Sequence, residues 1–293
     1  MRNGRIWLFG MLFTFVCTGC APQTASESQK SVADSAVPQE TDEKTPMPEP
    51  DSGKTEPAAA ESAFTLDEFG YQTDTFKSPS GKQIDMHCIK HGSLRIRYDG
   101  IEFEVDPVLN LNDKVTNYQA FPDADYILVT HEHYDHLDAE AIQALEKDST
   151  VLITNKSSAS QLGKGEVMAN GDSRALRDDI RIEAVPAYNT TLGHEQFHPK
   201  ARDNGFILTL DGFRIYIAGD TEDIPEMAEI RDIDVAFLPC NQPYTMTPAQ
   251  LAHAAKMIQP KVLFPYHYGE TSMDAVIAEM KDLNIDLRIR NYQ

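Results

Sequence analysis

Three histidines and one aspartate fall within six residues in the segment Thr130-His131-Glu132-His133-Tyr134-Asp135-His136-Leu137-Asp138. The run Tyr126–Thr130 before it is apolar and β-branched, which predicts a buried strand delivering the cluster at its end. Alternate residues of an extended chain share a face, so His131 and His133 point the same way. Asp135 and His136 follow in the next turn, so the four can surround a pair of metal ions. Imidazole with carboxylate and no thiolate is the ligand chemistry of catalytic zinc, iron or manganese rather than of structural zinc.

Further ligands have to come from elsewhere in the chain. Ala218-Gly219-Asp220-Thr221 closes a second strong strand with a lone carboxylate. An unpaired charge at a buried strand end is costly, so Asp220 is expected to face a cation. Pro265-Tyr266-His267-Tyr268-Gly269 places a histidine at the end of another strand. Between them, the loop Asn189–Lys200 carries two more histidines, His194 and His198.

In their order, His-x-His-x-Asp-His, Gly-Asp-Thr and Pro-x-His-Tyr-Gly resemble the metallo-β-lactamase superfamily of metal-dependent hydrolases. Ile215–Thr221, Leu238-Pro239 with Tyr244-Thr245-Met246, and Tyr266–Gly269 look closer still to its ascorbate-phosphate lactonase-like branch. The phospholipase D-like members that act on N-acyl phosphatidylethanolamine are similar in the His-x-His-Tyr-Asp-His-Leu-Asp core. The resemblance runs from about Ile84 to Gln293 and is far more specific for fold than for substrate. It implies a four-layer αβ/βα sandwich. It implies one metal on His131 and His133, a second on Asp135, His136 and His267, and Asp220 bridging both. Where many members carry a histidine after the Pro-Ala pair, this chain has Pro186-Ala187-Tyr188-Asn189. The later His198-Pro199-Lys200 matches the lactonase-like branch, so His198 is expected to complete the first site, with His194 the alternative. Asp106 and Asp138 look like carboxylates that orient ligand imidazoles.

Two divalent ions sharing Asp220 would lower the pKa of a shared water towards neutrality and polarise a carbonyl or phosphoryl oxygen. Asp135 is the carboxylate expected to hold the nucleophile's proton, which makes Asp135 and Asp220 the catalytic pair. Tyr188, Asn189, Tyr244 and Tyr268 neighbour the ligand loops and are candidate donors to substrate. Zinc is the expected metal, with manganese or iron as alternatives. The expected activity is hydrolysis of an ester, lactone or phosphoester. The alternatives are a phospholipase D-like phosphodiesterase and a metal- or ligand-binding protein without turnover, kept open by Asn189.

The elements that must position these residues lie within 63–293. Strands are expected at Ile84–Lys90, Leu94–Tyr98 and Glu102–Asp106, with Asp99-Gly100 turning the last two. A helix near Ala139–Glu146, a strand at Val151–Thr154 and another at Ile180–Val185 follow. Phe206–Leu210 and Phe213–Ala218 form a hairpin about Asp211-Gly212. Val235–Pro239 and Val262–Pro265 flank a helix with Thr247 as N-cap, Pro248 in its first turn and Gln250 completing a capping box. A last helix carries Met273, Val276, Ile277, Met280 and Leu283 at spacings of three and four. Hairpins first and alternating strands and helices later place sheets between helices. His253 falls off its helix's apolar stripe and should be exposed, and His87 and His91 read as polar partners on their sheet. Cys88 and Cys240 are either one disulfide or two buried thiols.

The first 62 residues are of another kind. Arg2 and Arg5 precede an apolar run, Ile6–Val16, too short to span a bilayer, which reads as an export signal. Cys17-Thr18-Gly19-Cys20 resembles a bacterial lipobox, which implies lipidation at Cys20 and a location on a membrane of the bacterial cell envelope. Residues 21–62 contain six prolines, nine acids against three lysines, and no Ile, Leu, Phe, Tyr or Trp. Such a composition cannot offset its ordering entropy and is expected to be a disordered tether. The whole chain carries −20 over 293 residues. A surface that acidic repels phosphate backbones and argues against nucleic acid as a partner, leaving a small-molecule substrate and the membrane. Oligomeric state is left open by the sequence.

Overall fold

The computed structural model describes residues 63–292. Its first half comprises β1 (Thr65–Leu66), β2 (Gln72–Lys77), β3 (Gln83–Lys90), β4 (Ser93–Tyr98), β5 (Ile101–Val105), β6 (Asn110–Leu111), β7 (Lys114–Val115), β8 (Ala124–Val129), α1 (Ala139–Leu145), β9 (Glu146–Thr154), α2 (Lys156–Leu162) and β10 (Glu166–Val167). The second half comprises β11 (Ser173–Arg177), β12 (Ile180–Ala187), β13 (Asp203–Leu210), β14 (Phe213–Ile217), β15 (Val235–Pro239), α3 (Pro248–Ile258), β16 (Val262–Tyr266), α4 (Met273–Met280) and β17 (Asp286–Leu287). One sheet has the order β1-β2-β3-β4-β5-β8-β9-β10 and the other β11-β12-β13-β14-β15-β16-β17, while β6 and β7 form a separate small hairpin.

Side-chain alternation decides which layer each strand residue enters. Tyr126 and Leu128 of β8 join Val235 and Phe237 of β15 in one apolar cluster built from both sheets. The intervening Ile127 and Val129 turn outward to Ala141, Ile142 and Leu145 of α1. Ala236 and Leu238 turn the other way, onto Leu251, Ala254, Ala255 and Ile258 of α3 and Val276 and Met280 of α4. Helix, sheet, sheet, helix is therefore the layer order, the αβ/βα sandwich expected from the sequence.

Local signals account for the helix starts. Thr247 and Gln250 exchange hydrogen bonds in the expected capping box, and Ser272 caps α4. Some expectations need correction. The strand after α1 begins at Glu146 and is nine residues long, not four. β1, β2, β6, β7, β10, β11, β17 and α2 were not foreseen; β2 and β11, the latter at its sheet's edge, are polar strands without apolar alternation. α4 stops at Met280, and Ile277 is exposed rather than on the buried stripe. Cys88 and Cys240 are free and buried, and burial pushes both thiols up to about 12. No helix among the described residues is long and apolar enough to cross a membrane. The expected signal, tether and lipidation at Cys20 lie outside the described residues.

Candidate metal centre

The chemistry-bearing residues gather where strands of both sheets end. Asp106 follows β5, His131 follows β8, Asp220 follows β14, His267 follows β16, and His91 turns β3 into β4. Backbone bonds stitch these ends together, with the His267 N–H donating to His91 O at 3.1 Å and the Asn204 N–H to Thr130 O at 3.1 Å. His91, Asp106 and His267 have φ of 48°, 43° and 47°. Left-handed backbone at three non-glycine residues is a local cost that the surrounding sheet ends must sustain. Gly92 is needed beside them, since a Cβ there would lie 2.7 Å from His136 Cε1.

A first cluster joins His131, His133, His198 and Asp220. His131 Nε2 and His198 Nε2 lie 3.0 and 3.2 Å from His133 Nδ1. Asp220 Oδ2 is 3.3 Å from His198 Nε2 and 3.8 Å from His131 Nε2. Hydrogen bonds fix which nitrogens are bare. The Thr130 hydroxyl donates to Asp106 Oδ2 at 2.7 Å, so it can only accept from His131 Nδ1–H at 3.0 Å. His198 Nδ1 faces two acceptors, Asn189 Oδ1 at 2.9 Å and Tyr244 O at 3.2 Å, and so carries the proton. Asn189 is itself oriented by donating Nδ2–H to Tyr244 O at 2.7 Å. Both imidazoles thus turn a lone pair inward.

A second cluster joins His91, Asp135, His136 and His267. His136 gives its Nδ1 proton to Asp106 Oδ2 at 2.8 Å and turns Nε2 inward, 3.3 Å from Asp220 Oδ1. Burial opposes its protonation, but Asp220, Asp135 and Asp106 outweigh it and raise the imidazole well above its usual range. His267 Nε2 lies 3.3 Å from Asp220 Oδ2 and 3.5 Å from Asp135 Oδ2. His91 Nε2 is 3.2 Å from Asp135 Oδ2, its ring 3.6 Å from that of His267. Asp220 therefore reaches both clusters.

Two observations fit cations here. His136 Nε2, Asp220 Oδ1 and His267 Nε2 are buried with no aligned hydrogen-bond partner, a state buried polar atoms rarely keep without an ion or water between them. The donor separations also suit the group. A tetrahedral ion with ligands at about 2.0–2.1 Å has donor–donor edges of roughly 3.3–3.4 Å. Electrostatics point the same way. Burial alone would raise Asp135 and Asp220, but the surrounding imidazoles outweigh it and hold both carboxyls well below their usual range. Burial, with neighbouring imidazoles, keeps His131 and His133 neutral and lowers His91 to about 4. Burial opposes protonation of His267 too, yet Asp220 and Asp135 prevail and raise it to about 9. The pocket attracts positive charge, and a bound cation would take the place of that proton.

Other expected site residues are placed differently. His194 turns to Glu222, 3.4 Å from Oε1, and stays outside the cluster. Asp106 orients His136 directly and His131 through Thr130. Asp138 does not touch an imidazole: it caps α1, accepting from Glu140 N and Ala141 N, and holds Leu109 N. The Tyr188 hydroxyl is tied to Glu226 at 2.7 Å and Lys200 at 3.0 Å. The Tyr268 hydroxyl donates to Arg290 O at 2.8 Å. Asn189 is spent on His198. These three polar groups are committed within the protein, while Tyr244 is 45% exposed. The sequence reading missed Thr130, Glu222 and His91. His91 sits in the cluster rather than serving as a partner on its sheet; the only signal was a histidine before glycine at a strand end. Glu222 is fully buried and takes Thr190 N and Thr191 N at 2.7 and 2.6 Å, anchoring the loop that carries His198. His87 does act as a polar partner, to Asp67 and Thr73, and His253 is exposed on α3, paired to Asp223.

A sandwich of this order with histidine–carboxylate clusters at the shared strand ends defines a metallo-β-lactamase-type hydrolase. The family model for the Beta-lactamase superfamily domain matches residues 85–267, and the chain belongs to that superfamily of metal-dependent hydrolases. The UPF0173 metal-dependent hydrolase of Methanopyrus kandleri is 27% identical over 214 residues, 68% of this chain and 92% of the relative. That of Archaeoglobus fulgidus is 32% identical over 174 residues, 56% of this chain and 75% of the relative. A crystal structure of a Parabacteroides distasonis protein, assigned as a metal-dependent hydrolase, is 55% identical with a TM-score of 0.73, covering 76% of this chain and all of that one. Igni18, a metallo hydrolase from Ignicoccus hospitalis, shares the fold at 23% identity, with a TM-score of 0.61 over 71% of this chain and 95% of its own.

Proposed function

We propose that this chain is a dinuclear hydrolase that cleaves an ester, lactone or phosphoester bond, with zinc as the metal. The observation that carries this reading is the pair of four-residue clusters that Asp220 touches from both sides. Divalent ions there would supply Lewis acidity and a water acidic enough to ionise near neutral pH. Asp106, Thr130 and Asn189 fix the tautomers that turn His131, His136 and His198 inward. Asp135, 17% exposed beside His91, is the carboxylate that can hold a proton at the open side of the site. Asn189 supports turnover, because its amide positions His198, the histidine expected to complete the first site. The lactone bond stays in the set through the motif likeness to the lactonase-like branch. Export and anchoring through Cys20 are proposed from the N-terminal sequence.

Elemental analysis of the purified chain beside His198→Ala and His194→Ala tests the reading. Close to two equivalents of metal, falling in His198→Ala alone, is expected. Turnover of p-nitrophenyl esters, lactones and bis(p-nitrophenyl) phosphate should vanish in Asp135→Ala. One equivalent or less, indifferent to both histidine changes, would sink the dinuclear assignment.

A phospholipase D-like activity is favoured by one feature. Tyr134 (76% exposed) and Leu192 (92%) stand in the segments that carry the ligands, and Tyr244 follows on the loop whose carbonyl holds His198. Cleavage of a dioctanoyl phospholipid, lost on Leu192→Asp, would support it.

A further inference from the structure

A cavity of about 450 Å³ opens beside the second cluster, lined by Lys90, His91, Asn112, Lys114, Tyr268 and Glu270 among others. It meets the site at His91, whose Nε2 lies 3.2 Å from Asp135 Oδ2. One wall is the β6–β7 hairpin, whose tip residues Asn112 and Asp113 take left-handed φ of 52° and 63°. That wall is pinned. The buried ammonium of Lys90 donates to the carbonyls of Val108, Leu109 and Lys114 at 3.3, 3.1 and 2.7 Å, and Asp138 holds Leu109 N. Lys90 forms no ion pair with a carboxylate among the described residues, and neither does Lys114. The lining holds two lysines and one acid, Glu270, with Asp113 at the tip of the same hairpin, in a chain whose net charge is −20. A local positive field against an acidic background selects for an anion, and the hairpin holds it in a fixed place.

We propose that this cavity is the substrate pocket of the metal centre and that it takes a substrate segment bearing a negative charge, set against Lys114 and Asn112. The scissile bond would then lie at Asp135 and His91, and the charged group one side-chain length away along the hairpin. This assignment rests on the hydrolase reading for what the pocket serves, but its selectivity can be measured by binding alone.

Glutarate and butyrate serve as probes on the zinc-loaded full chain by calorimetry. Each can place one carboxylate at the metal centre, and only glutarate has a second for the pocket. Glutarate should bind the native chain at least fivefold tighter than butyrate. Lys114→Glu should remove that preference, while Lys256→Glu, an equal charge change on α3, should keep it. Equal binding of the two acids, no binding of glutarate, or equal weakening of both by Lys114→Glu would overturn the pocket. Mono-p-nitrophenyl glutarate and p-nitrophenyl butyrate then test the chemistry separately. If neither is cleaved while the glutarate preference persists, ester hydrolysis falls and the pocket stands.

Discussion

At the scale of residues, the site is a competition between protons and cations for the same lone pairs. His267 sits between Asp220 and Asp135 and is raised to about 9. In the metal-free fold this interaction contributes stability that is fully present below an imidazole's ordinary pKa of about 6.5 and is lost as pH rises through 9. A metal ion must displace that proton, so binding releases it and strengthens as pH rises. Zinc affinity of the full chain, measured by competition with a chromophoric chelator, should climb by roughly tenfold or more per pH unit between 7 and 9, since the same carboxylates raise His136 as well. A flat profile from 7 to 9 would mean that His267 does not hand its proton to the metal. The residues that carry this chemistry were legible to different degrees. The run from His131 to His136 announces itself because four ligand types follow one strand. Asp220 and His267 were legible as polar residues at the ends of apolar strands. His91 was not, because nothing in the run Ile84–Lys90 tells a turn histidine from a sheet histidine. Its place depends on His267 N–H reaching its carbonyl from the other sheet.

At the scale of elements, the strands β3, β5, β8, β14 and β16 all end at one edge, and each deposits one or more chemical groups there. Their alternating apolar runs made them readable, since one face of each packs into the inter-sheet core. The short hairpin β6–β7 and the polar strands β2 and β11 were not readable, because neither buries a continuous apolar face. Asp138 shows how two roles look alike in sequence. It follows His136 by two residues, as a carboxylate orienting an imidazole would. It also immediately precedes α1, and both Glu140 N and Ala141 N donate to it. Capping is the role that the geometry supports. Asp138→Ala should therefore cost about 1 kcal/mol from the cap. The loss of the Leu109 N–H partner adds to that. Metal content should stay unchanged, checked by urea unfolding alongside elemental analysis. A drop in bound metal with unchanged stability would reverse the assignment and return Asp138 to the imidazoles.

At the scale of the whole molecule, the two clusters draw on both sheets at once. His91, His131, His133, Asp135 and His136 come from the first sheet's strand ends; Asp220 and His267 come from the second, and His198 from a loop between its strands. A cation held by both sets adds to a junction that otherwise rests on apolar packing, backbone bonds such as Asn204 N–H to Thr130 O, and side-chain links such as Arg288 and Arg290 to Asp74 and Tyr98 to Asp179. Without cations, Asp135 and Asp220 face one another's charge with only the imidazole protons between them. A ligand that binds the native state alone stabilises it by about 2.7 kcal/mol when present at 100 times its dissociation constant. For a domain of this size that corresponds to a rise in Tm on the order of 5–10 °C per site. Chelation followed by dialysis should therefore lower the Tm by at least that amount, and added zinc should restore it. Asp220→Asn, which weakens the bridge but keeps its shape, should abolish most of the zinc-dependent rise, because one carboxylate serves both clusters. His194→Ala should leave the rise intact. A Tm indifferent to chelation in a chain whose metal has been shown to leave would mean that apolar packing and the side-chain links across the sheets carry the junction, with the cations serving only the chemistry.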